Sequence, residues 1–174
     1  MLEDLKTDQE LVKRQVLKMA PNAAFTIASS KEEFMDKINW STPDIILADY
    51  NIPGFGGLEA LFYAKEHMPH VPFVFVSATL NDEEKVAESI ISGASGYVLK
   101  QNLRALPEKL MPILQASKER YDEQEQRKQR LSMAKLKLQK LEALINQLDN
   151  PSLSQQMLDL AHDIHVLFLP KQEA

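Results

Sequence analysis

The chain has 174 residues and a formal net charge of −5, which is enough length for one domain with an appendage. It contains no cysteine, which excludes disulfide bonds and thiolate metal sites, and no run of about 18 apolar residues that would predict a transmembrane helix. The segment from Met1 to Leu5 is too acidic and polar for a signal peptide, so we expect a cytoplasmic protein.

The charge is distributed unevenly along the chain. Residues 1–116 contain 11 Lys and Arg against 16 Asp and Glu, whereas residues 117–174 contain nine of each. An acidic first part repels phosphate backbones, which argues against nucleic acid as its main ligand. We assign residues 1–116 to one domain, residues 117–130 to a charged helical linker and residues 131–169 to a helical hairpin.

Short apolar segments alternate with helical patterns over the first domain. In chain order the pattern predicts helix 7–19, strand 24–28, helix 31–40, strand 45–48, helix 57–68, strand 73–76, helix 82–92, strand 96–99 and a helix after residue 102. Capping boxes at Thr7–Glu10 and Ser30–Glu33 predict the starts of the first two helices. The alternation is typical of an α/β fold, here a doubly wound parallel sheet of five strands in the order 2-1-3-4-5.

The first strand of this sheet is truncated, because only Met1 and Leu2 precede the polar residues that lead into the first helix. In the order 2-1-3-4-5 that strand is central, and a short one exposes apolar surface on both neighbours. The strand is therefore either a stub or continued by residues upstream of Met1, and the exposed surface favours the second interpretation.

Polar side chains stand at the ends of four of the five strands. They are Glu3, Asp4, Asp49, Ser77 and Lys100. A parallel sheet brings these ends to one edge, where ligands of open α/β sheets bind. Three carboxylates at one place repel each other and need a cation, and hard oxygen ligands with room for water suit Mg²⁺.

This constellation predicts phosphoryl chemistry. The Asp49 carboxylate can attack phosphorus to give an aspartyl phosphate, while Lys100 and the Ser77 hydroxyl hold phosphoryl oxygens. Taken singly, each residue has a plainer interpretation: Asp49 as a loop carboxylate or helix cap, Lys100 as a surface lysine and Ser77 as a turn residue. Four matching strand ends in the right order argue against coincidence.

Four stretches carry a resemblance to a known family. They are Leu2-Glu3-Asp4, Asp49-Tyr50-Asn51-Ile52-Pro53-Gly54, Val76-Ser77-Ala78 and Gly93-Ala94-Ser95-Gly96-Tyr97-Val98-Leu99-Lys100. With these motifs the first domain resembles the receiver domain of bacterial two-component response regulators, whose fold is flavodoxin-like. The resemblance implies that Asp49 is the phosphoacceptor and that Glu3, Asp4, Asp49 and the main-chain carbonyl of Asn51 surround Mg²⁺.

The same resemblance implies further roles. Ser77 is the switch hydroxyl and Tyr97 the aromatic residue that turns inward with it, while Asn51 and Thr79 tune the lifetime of the phosphoryl group. The donor is a histidine kinase or a histidine phosphotransfer protein, and the chain is not itself an enzyme beyond self-phosphorylation and autodephosphorylation. One departure is Gln101, which stands where most receivers have proline after the lysine.

The tail carries two apolar seams. Leu131, Ala134, Leu138, Leu141, Ile145 and Leu148 repeat at 3,4 spacing, and after Pro151 so do Leu153, Met157, Leu160, Ile164 and Leu167. Ser152–Gln155 reads as a third capping box. Two seams joined by a tight turn predict an antiparallel hairpin, which buries little alone, so we expect a homodimer that forms a four-helix bundle.

Several alternatives stay open at this point. The tail resembles helical RNA-binding tails in length but lacks a basic stripe with aromatic residues, and no membrane association is expected. A receiver fragment of a hybrid sensor kinase and an interaction module that is not phosphorylated are further options. His162 and His165 are three apart, a spacing compatible with phosphotransfer, with a metal pair or with plain surface residues.

Overall fold

The structure is a computed structural model that describes residues 1–78, 83–146 and 151–168, except for the side chains at positions 83–85, 163 and 165–168. The chain divides into two units, Met1–Glu119 and Arg120–Ala174. None of the helices in the described ranges combines the length and the hydropathy that crossing a membrane requires.

The elements of the first unit follow the predicted alternation. They are α1 (Lys6–Met19), α2 (Lys31–Trp40), β1 (Ile46–Ala48), β2 (Asn51–Ile52), β3 (Phe55–Gly56), α3 (Gly57–His67), β4 (Phe73–Ser77), α4 (Glu83–Ile91), β5 (Gly96–Leu99), a 3₁₀ helix (Lys100–Ala105) and the start of α5 (Leu106–Ile145). Residues 79–82, which include the start predicted for α4 at residue 82, lie outside the described residues.

The sheet is parallel, with β4 between β1 and β5. Leu2 adds a parallel bridge to Ala48 on one side and another to Ala28 on the other. Counted along the chain, the five strand positions are those of Leu2, Ala28, β1, β4 and β5, and their spatial order is the predicted 2-1-3-4-5. The first two positions are reduced to the bridge residues Leu2 and Ala28. The predicted α/β fold is confirmed.

The strand predicted at 24–28 is wrong, because within it only Ala28 forms a bridge. The cause is its short partner. The N–H of Ala28 donates to the Met1 carbonyl at 2.8 Å, and the α-ammonium of Met1 donates to the Thr26 carbonyl at 2.7 Å. A cavity of about 370 Å³ lies beside Met1, between Thr26 and Ile45.

Two of the three predicted capping boxes are wrong. Helix α1 begins at Lys6, so Thr7 lies in its first turn, and the carbonyl of Leu5 accepts the N–H groups of Asp8 and Gln9 at 3.0 Å each. Ser152 is not a cap either, because Pro151 already opens α6 (Pro151–Phe168), at the position where proline's missing N–H costs nothing. The Ser30 cap is confirmed, since its hydroxyl accepts from the N–H of Glu33.

Side chains of the sheet alternate between two apolar layers. Phe73 and Phe75 point into one layer with residues of α2 and α3, and Val74 and Val76 point into the other with residues of α1 and α5. This period of two is why both faces of β4 are buried, and it explains why the strand reads as a continuous apolar run. The burial fixes the register of the strands and with it the positions of their carboxyl ends.

A small antiparallel hairpin follows β1 and was not predicted. Asn51 pairs with Gly56 and Ile52 with Phe55 across a turn in which Gly54 has φ +72°. The chain then packs tightly, since a Cβ on Gly57 would lie 2.8 Å from the carbonyl oxygen of Tyr50. The hairpin therefore holds the loop after Asp49 in one conformation.

The second unit contains the end of α5 and the helix α6, with Leu138, Ile145 and Ala161 buried. The hydroxyl of Ser154 donates to the carbonyl of Ile145 at 3.2 Å, which joins the two helices. The segment predicted as a linker, residues 117–130, is helical throughout as part of α5. Leu148 lies outside the described residues.

Candidate functional site

The sheet edge brings the predicted site residues to one place. Asp49 directly follows β1, Ser77 is the last residue of β4 and Lys100 directly follows β5, while Glu3 follows the bridge at Leu2. All four therefore stand at carboxyl ends of parallel strands, as the sequence predicts.

The ammonium of Lys100 is the centre of the contacts. Its Nζ lies 2.7 Å from Oε2 of Glu3, 2.7 Å from Oδ2 of Asp49 and 2.6 Å from Oδ2 of Asp8. The Lys100 side chain is only 11% exposed and that of Glu3 only 2%. At this depth the ion pairs are weakly screened, so they orient the carboxylates strongly.

Electrostatics keeps this lysine charged. Burial by itself lowers the pKa of Lys100, but hydrogen bonds to Asp49, Asp8 and Glu3 outweigh it and raise the pKa above its ordinary value. Burial raises the pKa of the Glu3 carboxyl, against the opposing effect of Lys100. The protonated ammonium of Lys100 therefore contacts three carboxylates, whose combined negative charge exceeds its single positive charge.

The carboxylate of Asp49 is fixed through both of its oxygens. Oδ2 pairs with Lys100, and Oδ1 accepts the N–H of Asn51 at 3.2 Å. The backbone N–H of Asp49 donates to the carbonyl of Leu2 at 2.9 Å, which ties the loop to the central strand. Asp49 is 8% exposed, so it is oriented and nearly buried at the surface of the sheet edge.

Glu3, Asp4 and Asp49 form an acidic cluster. Each offers a carboxylate oxygen, and these oxygens lie within 4.8 Å of one another. Clustered carboxylate oxygens with one partly exposed member fit a hard cation that keeps some of its water, as Mg²⁺ does. The three predicted carboxylate ligands therefore lie close enough together to share one cation, while the main-chain carbonyl of Asn51 stays a prediction.

The predicted switch pair has contrasting environments. Ser77 is fully buried, whereas Tyr97 is half-buried with its ring centroid 6.2 Å from that of Phe75. Thr79, assigned to phosphoryl lifetime, lies outside the described residues. Asn51 is exposed at the rim beside Asp49.

Two residues of the site were missed from the sequence. Asp8 was assigned to a capping box, yet its carboxylate pairs with Lys100. The buried side-chain amide of Gln9 donates to the carbonyl of Glu3 at 2.7 Å and so holds the turn after Leu2. Their position in the sequence could have identified them. The first turn of a helix that directly follows a strand lies at the same edge of the sheet as the site residue at the end of that strand.

Residues 2–111, well over half of the chain, match the response regulator receiver domain family. The chain belongs to this family. The predicted resemblance is therefore confirmed, and the receiver corresponds to the first unit of the structure.

Curated relatives are response regulators and transcriptional regulatory proteins. The nitrate/nitrite response regulator protein NarL of Escherichia coli K12 is 36% identical over 88 residues, which cover 50% of this chain and 40% of NarL. The transcriptional regulatory protein YxjL of Bacillus subtilis is 32% identical over 118 residues, covering 65% and 52% respectively. The chain thus spans about half or less of the length of these relatives.

Solved structures show the same fold. The CheY-like receiver domain protein from Methanospirillum hungatei has a TM-score of 0.60 at 23% identity, covering 68% of this chain and 94% of its own. A LuxR-family two-component response regulator from Aurantimonas sp. has a TM-score of 0.61 at 23% identity, covering 66% and 82%.

Proposed function

We propose that this receiver accepts one phosphoryl group on Asp49 from a histidine kinase or a histidine phosphotransfer protein. The observation that carries the proposal is the Asp49 carboxylate, oriented by Lys100 at 2.7 Å and by the Asn51 N–H at 3.2 Å. The role is that of a phosphoacceptor in signalling. The chain's own chemistry is limited to taking the group from a donor and losing it by hydrolysis.

The transfer is a displacement at phosphorus. An oxygen of Asp49 forms the new P–O bond while the bond between phosphorus and the donor imidazole nitrogen breaks, and that nitrogen keeps the electron pair. Lys100 offsets negative charge on the phosphoryl oxygens, and the hydroxyl of Ser77 takes a further oxygen. The ammonium of Lys100, 2.7 Å from Oδ2 of Asp49, orients the attacking carboxylate.

Mg²⁺ is the cofactor that the cluster fits. Glu3, Asp4 and Asp49, with the main-chain carbonyl of Asn51, would hold it. When bound it neutralises charge that would otherwise repel an incoming phosphoryl group. Without it, one lysine faces three carboxylates within hydrogen-bond distance.

The second unit serves as the output, and we place a homodimer contact there. Apolar side chains remain exposed on both of its helices, Met133, Leu136 and Leu144 on α5 and Leu153 and Leu160 on α6. A second copy of the chain would cover this apolar surface, because two two-helix hairpins can pair to form a four-helix bundle. Phosphorylation would act on that output through Ser77 and Tyr97.

The experiment uses a small acyl-phosphate donor with Mg²⁺ and intact-mass spectrometry. One phosphoryl group is expected on the natural chain and none on Asp49→Asn, which keeps the shape but is a far poorer nucleophile. Asp44→Asn is the matched control, because it removes an exposed carboxylate just before β1. Undiminished phosphorylation of Asp49→Asn, or of the natural chain in excess chelator, contradicts the proposal.

A further inference from the structure

The hydrogen-bonding capacity of Lys100 is fully used. An ammonium has three N–H donors. Three carboxylate oxygens lie at 2.6–2.7 Å from Nζ of Lys100, one each from Glu3, Asp8 and Asp49. A phosphoryl oxygen that arrives on Asp49 can therefore gain a donor from Lys100 only if one of these carboxylates gives it up.

Two of the three carboxylates have another role in the proposed function. Glu3 and Asp49 belong to the acidic cluster, so a bound cation would take over part of their charge. Asp8 is not among the residues of that cluster. Among the described ionic groups of the site, the Asp8 carboxylate contacts Lys100 alone. Its Oδ2 lies 2.6 Å from Nζ of Lys100, the shortest of the three distances.

The structure holds Asp8 in place from its own side. Its backbone N–H donates to the carbonyl of Leu5 at 3.0 Å, and its Oδ1 accepts from the hydroxyl of Thr7 at 3.4 Å. It stands in the first turn of α1, where the helix dipole favours a negative charge. Asp8 is therefore held at the site by contacts that do not involve Lys100.

We propose that Asp8 is a positioning residue that competes with the phosphoryl group for the ammonium of Lys100. The inference rests on the proposed function and adds a regulator to the same site. While Lys100 stays with Asp8, one of its three donors is withheld from the phosphoryl oxygens. The carboxylate also places an additional negative charge beside a group that itself becomes anionic. Both effects weaken the phosphorylated state relative to the free one.

The test measures the affinity of beryllofluoride, a phosphoryl mimic, in the presence of Mg²⁺ on the full chain. Asp8→Asn removes the negative charge and leaves only a neutral amide oxygen to compete for the Lys100 donor, so the affinity should rise by about three- to tenfold. Asp8→Glu keeps the charge and should stay within about twofold of the natural chain. Glu10→Gln is the matched control, since it removes an exposed carboxylate of the same helix that pairs with Lys13 and not with Lys100, and it should leave the affinity unchanged.

The outcomes separate this inference from the function on which it rests. A natural chain that fails to bind beryllofluoride overturns both. A natural chain that binds, together with a folded Asp8→Asn variant of equal or lower affinity, overturns the role of Asp8 alone. A purely structural role would lower thermal stability without raising affinity, and would not be rescued by Asp8→Glu.

A second measurement does not need a variant. In the natural chain the side-chain carboxyl ¹³C resonance of Asp8 should shift when beryllofluoride and Mg²⁺ saturate the site, because the carboxylate loses its ammonium partner. A resonance that stays in place while that of Glu3 moves would show that Lys100 never leaves Asp8, and the competition would be refuted.

Discussion

The ammonium of Lys100 lies 2.7 Å from Oδ2 of Asp49, although the two residues are 51 positions apart and follow strands that β4 separates. The lysine side chain thus reaches across the end of the central strands to the loop after β1. This contact links β5 to β1 at the edge where the receiver is expected to accept its phosphoryl group. The stability of that edge should depend on the positive charge.

The first prediction concerns that charge. Lys100→Met leaves three carboxylates without their shared cation and should lower the free energy of unfolding by about 3 kcal/mol, the lower end of the range for a broken buried ion pair. Mg²⁺ should restore more stability to this variant than to the natural chain. Denaturant unfolding with and without Mg²⁺ measures both effects. Lys13→Met, which removes an exposed pair with Glu10, is the control and should cost less than about 1 kcal/mol.

The second prediction tests the loop after Asp49. A Cβ on Gly57 would lie 2.8 Å from the Tyr50 carbonyl oxygen and 2.9 Å from Cε1 of Phe75, so Gly57→Ala forces the loop or the core to shift. We expect a loss of about 1–3 kcal/mol and a lower rate of phosphorylation. Gly56→Ala is the matched control, because nothing lies within 4 Å of its Cβ. Equal stability of the two variants would refute the close approach.

The third prediction applies to a chain that begins at Met1 and is a pH dependence that arises at its α-ammonium. Burial, with a smaller contribution from Lys37, lowers the pKa of the α-ammonium of Met1 to about 6 from 8.0. The unfolded chain therefore binds more protons between pH 6 and pH 8, and stability rises with pH through that window. The loss of folding stability that comes from burying the charged α-ammonium is fully present below about pH 6. We expect the free energy of unfolding to change by about 1–2 kcal/mol across this window. This is less than full burial would give, because Met1 keeps some contact with water.

Nα-acetylation separates this effect from other titrations. On a chain that begins at Met1, the acetylated form carries no charge there, and the adjacent cavity of about 370 Å³ has room for the group. The acetylated protein should be the more stable form at pH 6, with a difference that shrinks toward pH 8.5. A constant difference across the range would show that the ammonium is not responsible.

The fourth prediction addresses the exposed apolar side chains of the second unit. Leu144 on α5 and Leu160 on α6 are 62% and 61% exposed. Changing either to Glu should weaken dimerisation at least tenfold, because a charge would then be buried at the contact. Sedimentation equilibrium on the full chain is the measurement, with Ile91→Glu, a highly exposed position of the first unit, as the control. A natural chain that is monomeric at tens of micromolar contradicts the dimer.

The sequence by itself determined which apolar segments are inner strands and which residues stand at their ends. Apolar runs such as residues 73–76 are buried on both faces, as inner strands of a parallel sheet are, and the first polar residue after such a run lies at the carboxyl edge. Asp49, Ser77 and Lys100 follow from this local rule. The Ser30 cap could also be predicted, because a cap bonds to an N–H only three residues away.

Only the tertiary structure decided the contacts that join distant segments. The partnership of Asp8 with Lys100 spans 92 positions and depends on the distance between α1 and the end of β5, which no local pattern records. The same holds for the strand predicted at 24–28, whose propensity is adequate but in which only Ala28 forms a bridge to a neighbouring segment. A strand exists only where a neighbour supplies hydrogen bonds, and a carboxylate becomes part of a site only where packing brings a cation to it.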